Sequence, residues 1–424
     1  MAAVKPKLYF IACTFPPYGR GNAITNACVA NYLAEDFDVE VIAMEQERGF
    51  LLSYQNDQSL VDSLKPQIQV QRIGAAKWWG LNEILYAIGL LPCYFLNWAY
   101  SVWRCRQTLV RQPGVLFAVY PVFANLVVAC LLQRYYRMPL LVDFRDDFSG
   151  VMSRGWRRIY RPFYAALEAW VMRRADAVTA TTEALAADLT RRYNLEPSRV
   201  GVVYNIVPTL EPAASREGDG VLKIVYAGAI SRIQRPEVLL QAYHVLVERH
   251  PSLRGRIEVE IYGPESRYFR RKVAKHIVPG VKFGGFLPRR ELEEVLQEAD
   301  IGFMSLGDRV YSYATPTKLF DYIELGLPIL ASLPSGAAAE LVEGHEIGLV
   351  APLGDIDALA NCLAELVERP ELRARYRENM AAIRPQFRPQ NQARKWRDLL
   401  LSLSAKENSE STLVTPHKKE CDLV

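Results

Sequence analysis

Cysteine is scarce and follows no pairing pattern. Its seven copies (Cys13, Cys28, Cys93, Cys105, Cys130, Cys362 and Cys421) contain no CxxC pair and are odd in number. This excludes a disulfide framework and a thiolate zinc site, and it fits a reducing, cytoplasmic location. Most of them sit in apolar surroundings, where a thiol behaves as a small buried hydrophobe. A dominant charge is also lacking. Fifty-one Lys and Arg stand against 47 Asp and Glu, and the net +4 is too weak a bias for a nucleic-acid binder. No secretory leader is recognisable. Lys5 and Lys7 precede only the short apolar run Leu8–Cys13, and Phe15-Pro16-Pro17-Tyr18-Gly19 follows in place of a small-residue cleavage site. That run reads as a buried first strand.

What is present is an ordinary globular composition, half hydrophobic, over 424 residues, which is enough for two or three domains. Strand-like runs (Leu8–Thr14, Val39–Ala43, Val115–Val119, Leu140–Asp143, Ala177–Ala180, Val200–Tyr204) alternate with helical stretches such as Ala23–Ala34, Phe163–Arg173 and Glu183–Arg192. This alternation implies a parallel sheet covered on both faces, opening with a Rossmann-like unit. Residues 208–220 are rich in Pro, Ser, Gly, Glu and Asp and read as a linker. The pattern then restarts: strands are expected at Leu222–Ala227, Ile257–Tyr262, Val281–Phe283, Ile301–Ser305 and Ile329–Ser332. The intervening helices are Pro236–His250, Glu291–Gln297 and Thr317–Leu325, followed by Ile356–Glu368 and Glu371–Ala381. The expected organisation is an N-terminal domain 1–207, a linker 208–220, a C-terminal domain 221–388, a helix 389–404 returning to the first domain, and a disordered tail 405–424. A ligand-binding cleft is expected between the domains.

Several segments together resemble the retaining glycosyltransferase family 4, over most of residues 7–404. The most specific is Ala314-Thr315-Pro316-Thr317-Lys318-Leu319-Phe320-Asp321-Tyr322, continuing through Gly326-Leu327-Pro328-Ile329. It is similar to the signature of the branch acting on cell-surface polysaccharide precursors. Val225-Tyr226-Ala227-Gly228, the Val281–Phe286 stretch leading to Ala299-Asp300-Ile301-Gly302, and Gly348-Leu349-Val350 with Gly354-Asp355 look like flanking family segments. Elementary physics gives the same segment a use. Pro316 opens a helix at no hydrogen-bond cost, the first-turn N–H groups attract a phosphate, and Lys318 adds a point charge. The resemblance implies a GT-B fold, two Rossmann-like domains facing each other across a cleft. It also implies donor-binding roles for Gly228, Arg232, Arg235, Gly263, Thr315, Pro316, Thr317, Lys318 and Asp321, with Asp321 on the nucleotide ribose. The first of two glutamates common in the family is replaced by Tyr313, and at least one of Arg232 and Arg235 is expected on the diphosphate.

In the N-terminal half, Phe15-Pro16-Pro17-Tyr18-Gly19-Arg20-Gly21 resembles the family's glycine-rich loop, and Asp143-Phe144-Arg145-Asp146-Asp147-Phe148 resembles a motif of the same branch. Gly19, Gly21 and Arg145 are expected to bind acceptor, and Arg145 and Asp146 to serve catalysis. Glu168 and Arg173-Arg174-Ala175-Asp176 read as structural. Asp355-Ile356-Asp357 is a literal DxD, but it lies where a helix starts, so N-capping is expected and no metal site.

Glu83 and Arg104 bracket 20 uncharged residues interrupted by Gly89, Pro92, Asn97 and Ser101. A surface helix or hairpin dipping into one leaflet is expected here, with Lys77-Trp78-Trp79 upstream and Arg154, Trp156, Arg157, Arg158, Arg161 and Phe163 downstream. The resulting expectation is a retaining, metal-independent hexosyltransferase in polysaccharide or glycolipid biosynthesis. It would use a UDP or GDP sugar as substrate, no cofactor, and a lipid-linked or glycan acceptor, on the inner face of the cytoplasmic membrane. A nucleotide-sugar 2-epimerase and a non-catalytic glycosyltransferase-like binding protein are the alternatives. The first needs no lipid acceptor, and Tyr313 keeps the second open.

Overall fold

The computed structural model describes residues 5–45, 55–77, 80–210 and 220–411. Trp78, Trp79, most of the expected linker (211–219), Cys421 and the tail from 412 lie outside these.

Seven strands form the first sheet: β1 (Lys7–Ile11), β2 (Asp38–Met44), β3 (Gln69–Ile73), β4 (Val115–Tyr120), β5 (Leu140–Phe144), β6 (Ala177–Ala180) and β7 (Val200–Val202). Their order is β3-β2-β1-β4-β5-β6-β7, and all pairs are parallel. Helices cover both faces, so β1, β4 and β5 are buried from end to end and read as continuous apolar runs. The polar strand β3, Gln-Val-Gln-Arg-Ile, is an edge strand that the sequence pattern does not predict. The second sheet contains β8 (Leu222–Ala227), β9 (Ile257–Tyr262), β10 (Val281–Gly285), β11 (Ile301–Ser305), β12 (Ile329–Leu333) and β13 (Gly348–Pro352). Its order is β10-β9-β8-β11-β12-β13, again parallel. In each sheet the strand order reverses beside the first strand, between β1 and β4 and between β8 and β11. Ligands bind in the crevice outside the carboxyl ends of strands at such a switch point. The α/β GT-B architecture expected from the sequence is the architecture observed.

The segment 84–103 does not form one membrane-facing element. It splits at Gly89 into a helix Leu81–Ala87 and a helix Leu96–Arg104. Trp98, Ala99 and Val102 of the second helix are core residues, packed with β1 and β4 side chains. The first part stays at the surface, with Leu81, Ile84, Ile88 and Leu90 exposed, and from the second helix Tyr100 joins them. No helix among the described residues is long and apolar enough to cross a membrane. Asp355 caps the helix Ile356–Glu368 by accepting from the Ala358 N–H at 2.9 Å, while Asp357 pairs with Arg249.

The last helix, Pro389–Ser411, extends seven residues beyond its expected end at 404. It packs on the helix Gly21–Leu33 and on β4 and β5 of the first domain. Trp396 is fully buried there, its ring 5.9 Å from Phe117 and its Nε1–H donating to Thr179 Oγ1 at 3.1 Å. Trp396→Ala leaves a cavity and removes one of the two hydrogen bonds of the Thr179 hydroxyl, which still donates to Asp143. It is expected to lower stability by about 3–5 kcal/mol, read from urea unfolding of the whole chain.

Candidate active site

The helix Thr317–Leu325 is seated by a size match. A Cβ on Gly302 of β11 would lie 2.6 Å from the Tyr322 ring, so only glycine lets this helix lie against the strand. Tyr322 then donates its hydroxyl to Phe303 O at 2.9 Å. Gly326, at φ 72°, ends the helix in the left-handed conformation that glycine adopts without strain. At the other end Pro316 opens the helix and no side chain caps it. Its first-turn N–H groups are therefore oriented as an anion site.

Lys318 in that first turn is buried. Its ammonium donates to Gln234 Oε1 at 2.9 Å and lies 3.8 Å from the centroid of the Tyr226 ring. Burial pulls its pKa down to about 7, against the favourable charge of Asp321. It stands against the end of β8: a Cβ on Gly228 would come within 3.0 Å of Nζ. The neighbouring strand end, Gly263, touches Gly228 so closely that a Cβ would fall 2.1 Å from Gly228 O. The two glycines thus keep the strand ends bare where Lys318 reaches them. Lys318, Gly228, Gly263, Thr317 and Pro316 are brought together.

Arg232 and Arg235 lie on the loop after Gly228, packed over Gly307. Arg235 is half-buried and its Nε donates to Glu237 at 3.4 Å; Arg232 is exposed and has no ion pair among the described residues. Thr315 faces the first domain, its carbonyl accepting from Asn205 Nδ2 at 2.9 Å. Two of the expected contact residues are paired within the protein. The Asp321 carboxylate, expected on a ribose, accepts from Arg289 Nη2 at 2.7 Å in a buried ion pair. Arg145, expected on the acceptor, is itself buried: its Nε donates to Asp143 at 2.8 Å and its Nη1 to Asn26 at 2.9 Å. Of its three guanidinium nitrogens, Nη2 alone lacks a hydrogen-bond partner among the described residues. Burial forces these pairings, because an unpaired interior charge is costly.

The glycine-rich loop faces the second domain directly. A Cβ on Gly21 would lie 3.1 Å from Thr317 Oγ1, and one on Gly19 would lie 2.6 Å from the Phe286 ring. The helix Gly21–Leu33 also starts without a side-chain cap, so two uncapped helix N-termini face each other across the cleft. Gly19 packs under Phe286. Asp146 follows β5 on the cleft wall, deep among protein atoms yet partly open to solvent. Burial, then the charge of Asp147, pushes its carboxyl up to about 7, with Arg145 opposing. Glu168 is fully buried and accepts from Arg192 at 3.0 Å, a structural role.

Sequence reasoning missed Gln234, which fixes the Lys318 ammonium, and Arg289, whose backbone N–H donates to Asp57 Oδ2 at 2.7 Å across the domain boundary. Gln234 stands immediately before Arg235 and, being uncharged, carries no diphosphate signal of its own. Arg289 gives no local signal.

The chain is similar to known proteins in sequence and in fold. Residues 22–205 match the family model described as glycosyl transferase 4-like domain, and residues 209–382 match glycosyl transferases group 1. The D-inositol 3-phosphate glycosyltransferase of Streptomyces scabiei is 28% identical over 229 residues, 49% of this chain and 50% of that protein. Its namesake from Kribbella flavida is 24% identical over 331 residues, 73% of this chain and 75% of that protein. The chain thus spans about half the length of the first relative and three quarters of the second. Among solved structures, HepE of Anabaena in complex with UDP and glucose superposes with a TM-score of 0.65 at 15% identity. The match covers 96% of this chain and 100% of that one and speaks for the shared fold. The two family models together take in every strand of both sheets except β1, and the chain belongs to glycosyltransferase family 4, of the GT-B fold.

Proposed function

We propose that this protein transfers a hexosyl unit from a nucleoside diphosphate sugar, UDP- or GDP-linked, to an acceptor hydroxyl with retention of configuration, needing no metal or cofactor. The observation that carries this reading is Lys318, a buried, weakly neutralised ammonium at an uncapped helix N-terminus beside two bare glycine strand ends. A diphosphate supplies the negative charge that this site lacks. HepE of Anabaena was solved in complex with UDP, which makes UDP the first base to try. The second domain would hold the nucleotide and the first domain the acceptor.

In the reaction, the acceptor oxygen bonds to the anomeric carbon as the bond from that carbon to the β-phosphate oxygen breaks. The nucleoside diphosphate leaves with the electron pair, and the acceptor proton passes to the Asp146 carboxylate, whose pKa of about 7 suits it to take one. Lys318 and the helix N-terminus stabilise the charge that grows on the leaving group. The Asp146 carboxylate accepts the hydrogen bond of the attacking hydroxyl. The acceptor is read as a lipid-linked saccharide of polysaccharide or glycolipid synthesis, and the protein as peripheral on the inner face of the cytoplasmic membrane. The exposed Leu81, Ile84, Ile88 and Leu90 beside arginine-rich residues 154–161 support that placement. Tyr313, in place of a carboxylate, is the one feature that favours a non-catalytic binding protein, and turnover assays separate the two.

Thermal-shift screening against UDP, GDP, ADP and TDP tests the donor site. One nucleotide is expected to raise the melting temperature, and Lys318→Ala to weaken that shift; no shift at millimolar concentration rejects the reading. Because Lys318 is charged only below about 7 in the free protein, nucleotide affinity should fall as pH rises through that value, with proton uptake on binding at pH 8 by calorimetry.

The same buried ammonium costs folding stability. Its folded pKa of about 7 lies below the ordinary lysine value of 10.5, so its cost is full below pH 7 and fades as pH rises towards 10.5. Lys318→Met should therefore melt higher than wild type at pH 7, with the gap closing by pH 10. For Asp146 the sign is opposite. With saturating donor, kcat/KM for the acceptor should rise through pH about 7 as the carboxyl ionises, and Asp146→Asn should abolish that limb.

A further inference from the structure

The first domain carries a second group of cationic side chains close to the cleft. A pocket of about 440 Å³ opens at Asp147, the residue after Asp146, between the helices Phe148–Met152, Arg161–Met172 and Glu183–Tyr193, with Tyr313 of the second domain on its wall. Four arginines, Arg158, Arg161, Arg191 and Arg192, line it against two aspartates. Both aspartates are already engaged. Asp147 accepts from Arg192 at 2.9 Å, and Asp188 accepts from Arg192 at 2.6 Å and also from Arg191. Arg158 and Arg161 have no ion pair among the described residues, and both are exposed at the pocket. Two guanidiniums without carboxylates form a fork suited to phosphoryl oxygens.

The same short segment that carries these arginines carries exposed apolar side chains. Ile159 is 72% exposed, Trp156 57%, and Phe163 is also exposed. Ile84 at 60%, with Ile88 and Leu90, joins them from the other side of a fixed seam. There Tyr164 donates its hydroxyl to Gly89 O at 2.7 Å, a Cβ on Gly89 would meet the Trp156 and Tyr160 rings, and the Arg157 guanidinium lies 4.8 Å from the Tyr86 ring centroid. Scattered exposed hydrophobics are ordinary, but a contiguous set bordered by arginines matches the chemistry of an anionic bilayer surface.

We propose that the pocket at Arg158 and Arg161 takes the phosphoryl head group of an amphiphilic acceptor, whose hydrocarbon runs along the ridge of Ile84, Ile88, Trp156 and Ile159 into the membrane. The proposal rests on the transferase reading and names the acceptor class of that site. The head group is thereby held one residue from Asp146, through Asp147 in the pocket lining. The pocket selects for phosphate and the ridge selects for a lipid source over a soluble phosphate ester.

The test is flotation of the full chain with phosphatidylcholine vesicles, alone, with phosphatidylglycerol, or with a few per cent polyprenyl phosphate. Calorimetric titration with inositol 3-phosphate provides the soluble arm. Wild type should float at least tenfold more with polyprenyl phosphate than with phosphatidylcholine alone. Arg158→Ala/Arg161→Ala should lose that increment, and Ile84→Ser/Ile159→Ser should lose flotation on every vesicle, both keeping the nucleotide thermal shift of wild type. Flotation indifferent to polyprenyl phosphate or to the arginine pair overturns the pocket. Arginine-dependent binding of inositol 3-phosphate without flotation overturns the lipid source. If wild type floats as expected yet shows no nucleotide shift, the transferase reading fails while the amphiphile site stands.

Discussion

Arg289 sets the geometry on which the rest of the cleft depends. Its backbone N–H donates to Asp57 of the first domain, and its guanidinium donates to Asp321 and to Glu293 in the second. Asp57 is itself pinned, accepting from the Ser59 N–H at the start of a short helix. One residue therefore ties the spacing of the two domains to the helix that carries Lys318. A buried ion pair of this kind adds little net stability over apolar packing, but breaking one side leaves an uncompensated charge. Its contribution is positional. It keeps the uncapped end of Thr317–Leu325 opposite the uncapped end of Gly21–Leu33.

Across that spacing the two titratable groups of interest are displaced in opposite directions. Burial lowers Lys318 and raises Asp146, and both arrive near 7. Neither shift comes from an unusual residue. Each comes from placing an ordinary side chain where the partner that would neutralise it is missing or turned elsewhere: Asp321 is committed to Arg289, and Arg145 to Asp143 and Asn26. The internal pairing of Asp321 and Arg145 and the displaced titrations of Lys318 and Asp146 thus have one source. The charges that seemed available from sequence are the ones holding the walls in place.

The doubly wound strands were legible because burial on both faces writes itself as unbroken apolar runs, as in Val115–Tyr120. The edge strand Gln69–Ile73 was not, because one side is open and its composition is that of a loop. The helix at Pro316 was legible from its start and stop residues, and Lys318 with it. The partners of that helix were not, since Gln234 lies 84 residues from Lys318 and Arg289 lies 32 residues from Asp321, and they meet it only through sheet order. The apolar segment 84–103 shows the limit of composition. Leu96–Arg104 turns Trp98 and Val102 inward, while Ile84 and Ile88 remain at the surface, and hydropathy alone does not separate those fates.

The returning helix Pro389–Ser411 has a consequence for how the chain is made. The first sheet leaves the ribosome early, yet one of its faces is completed by Trp396, Leu400 and Leu403. Those residues emerge only after the whole second domain. Until then Phe10, Val41 and Phe117 present an unfinished apolar surface, so the first domain is born first and finished last. The interval in which this protein is most exposed to misassociation falls at the end of its synthesis, and chaperone demand should peak there.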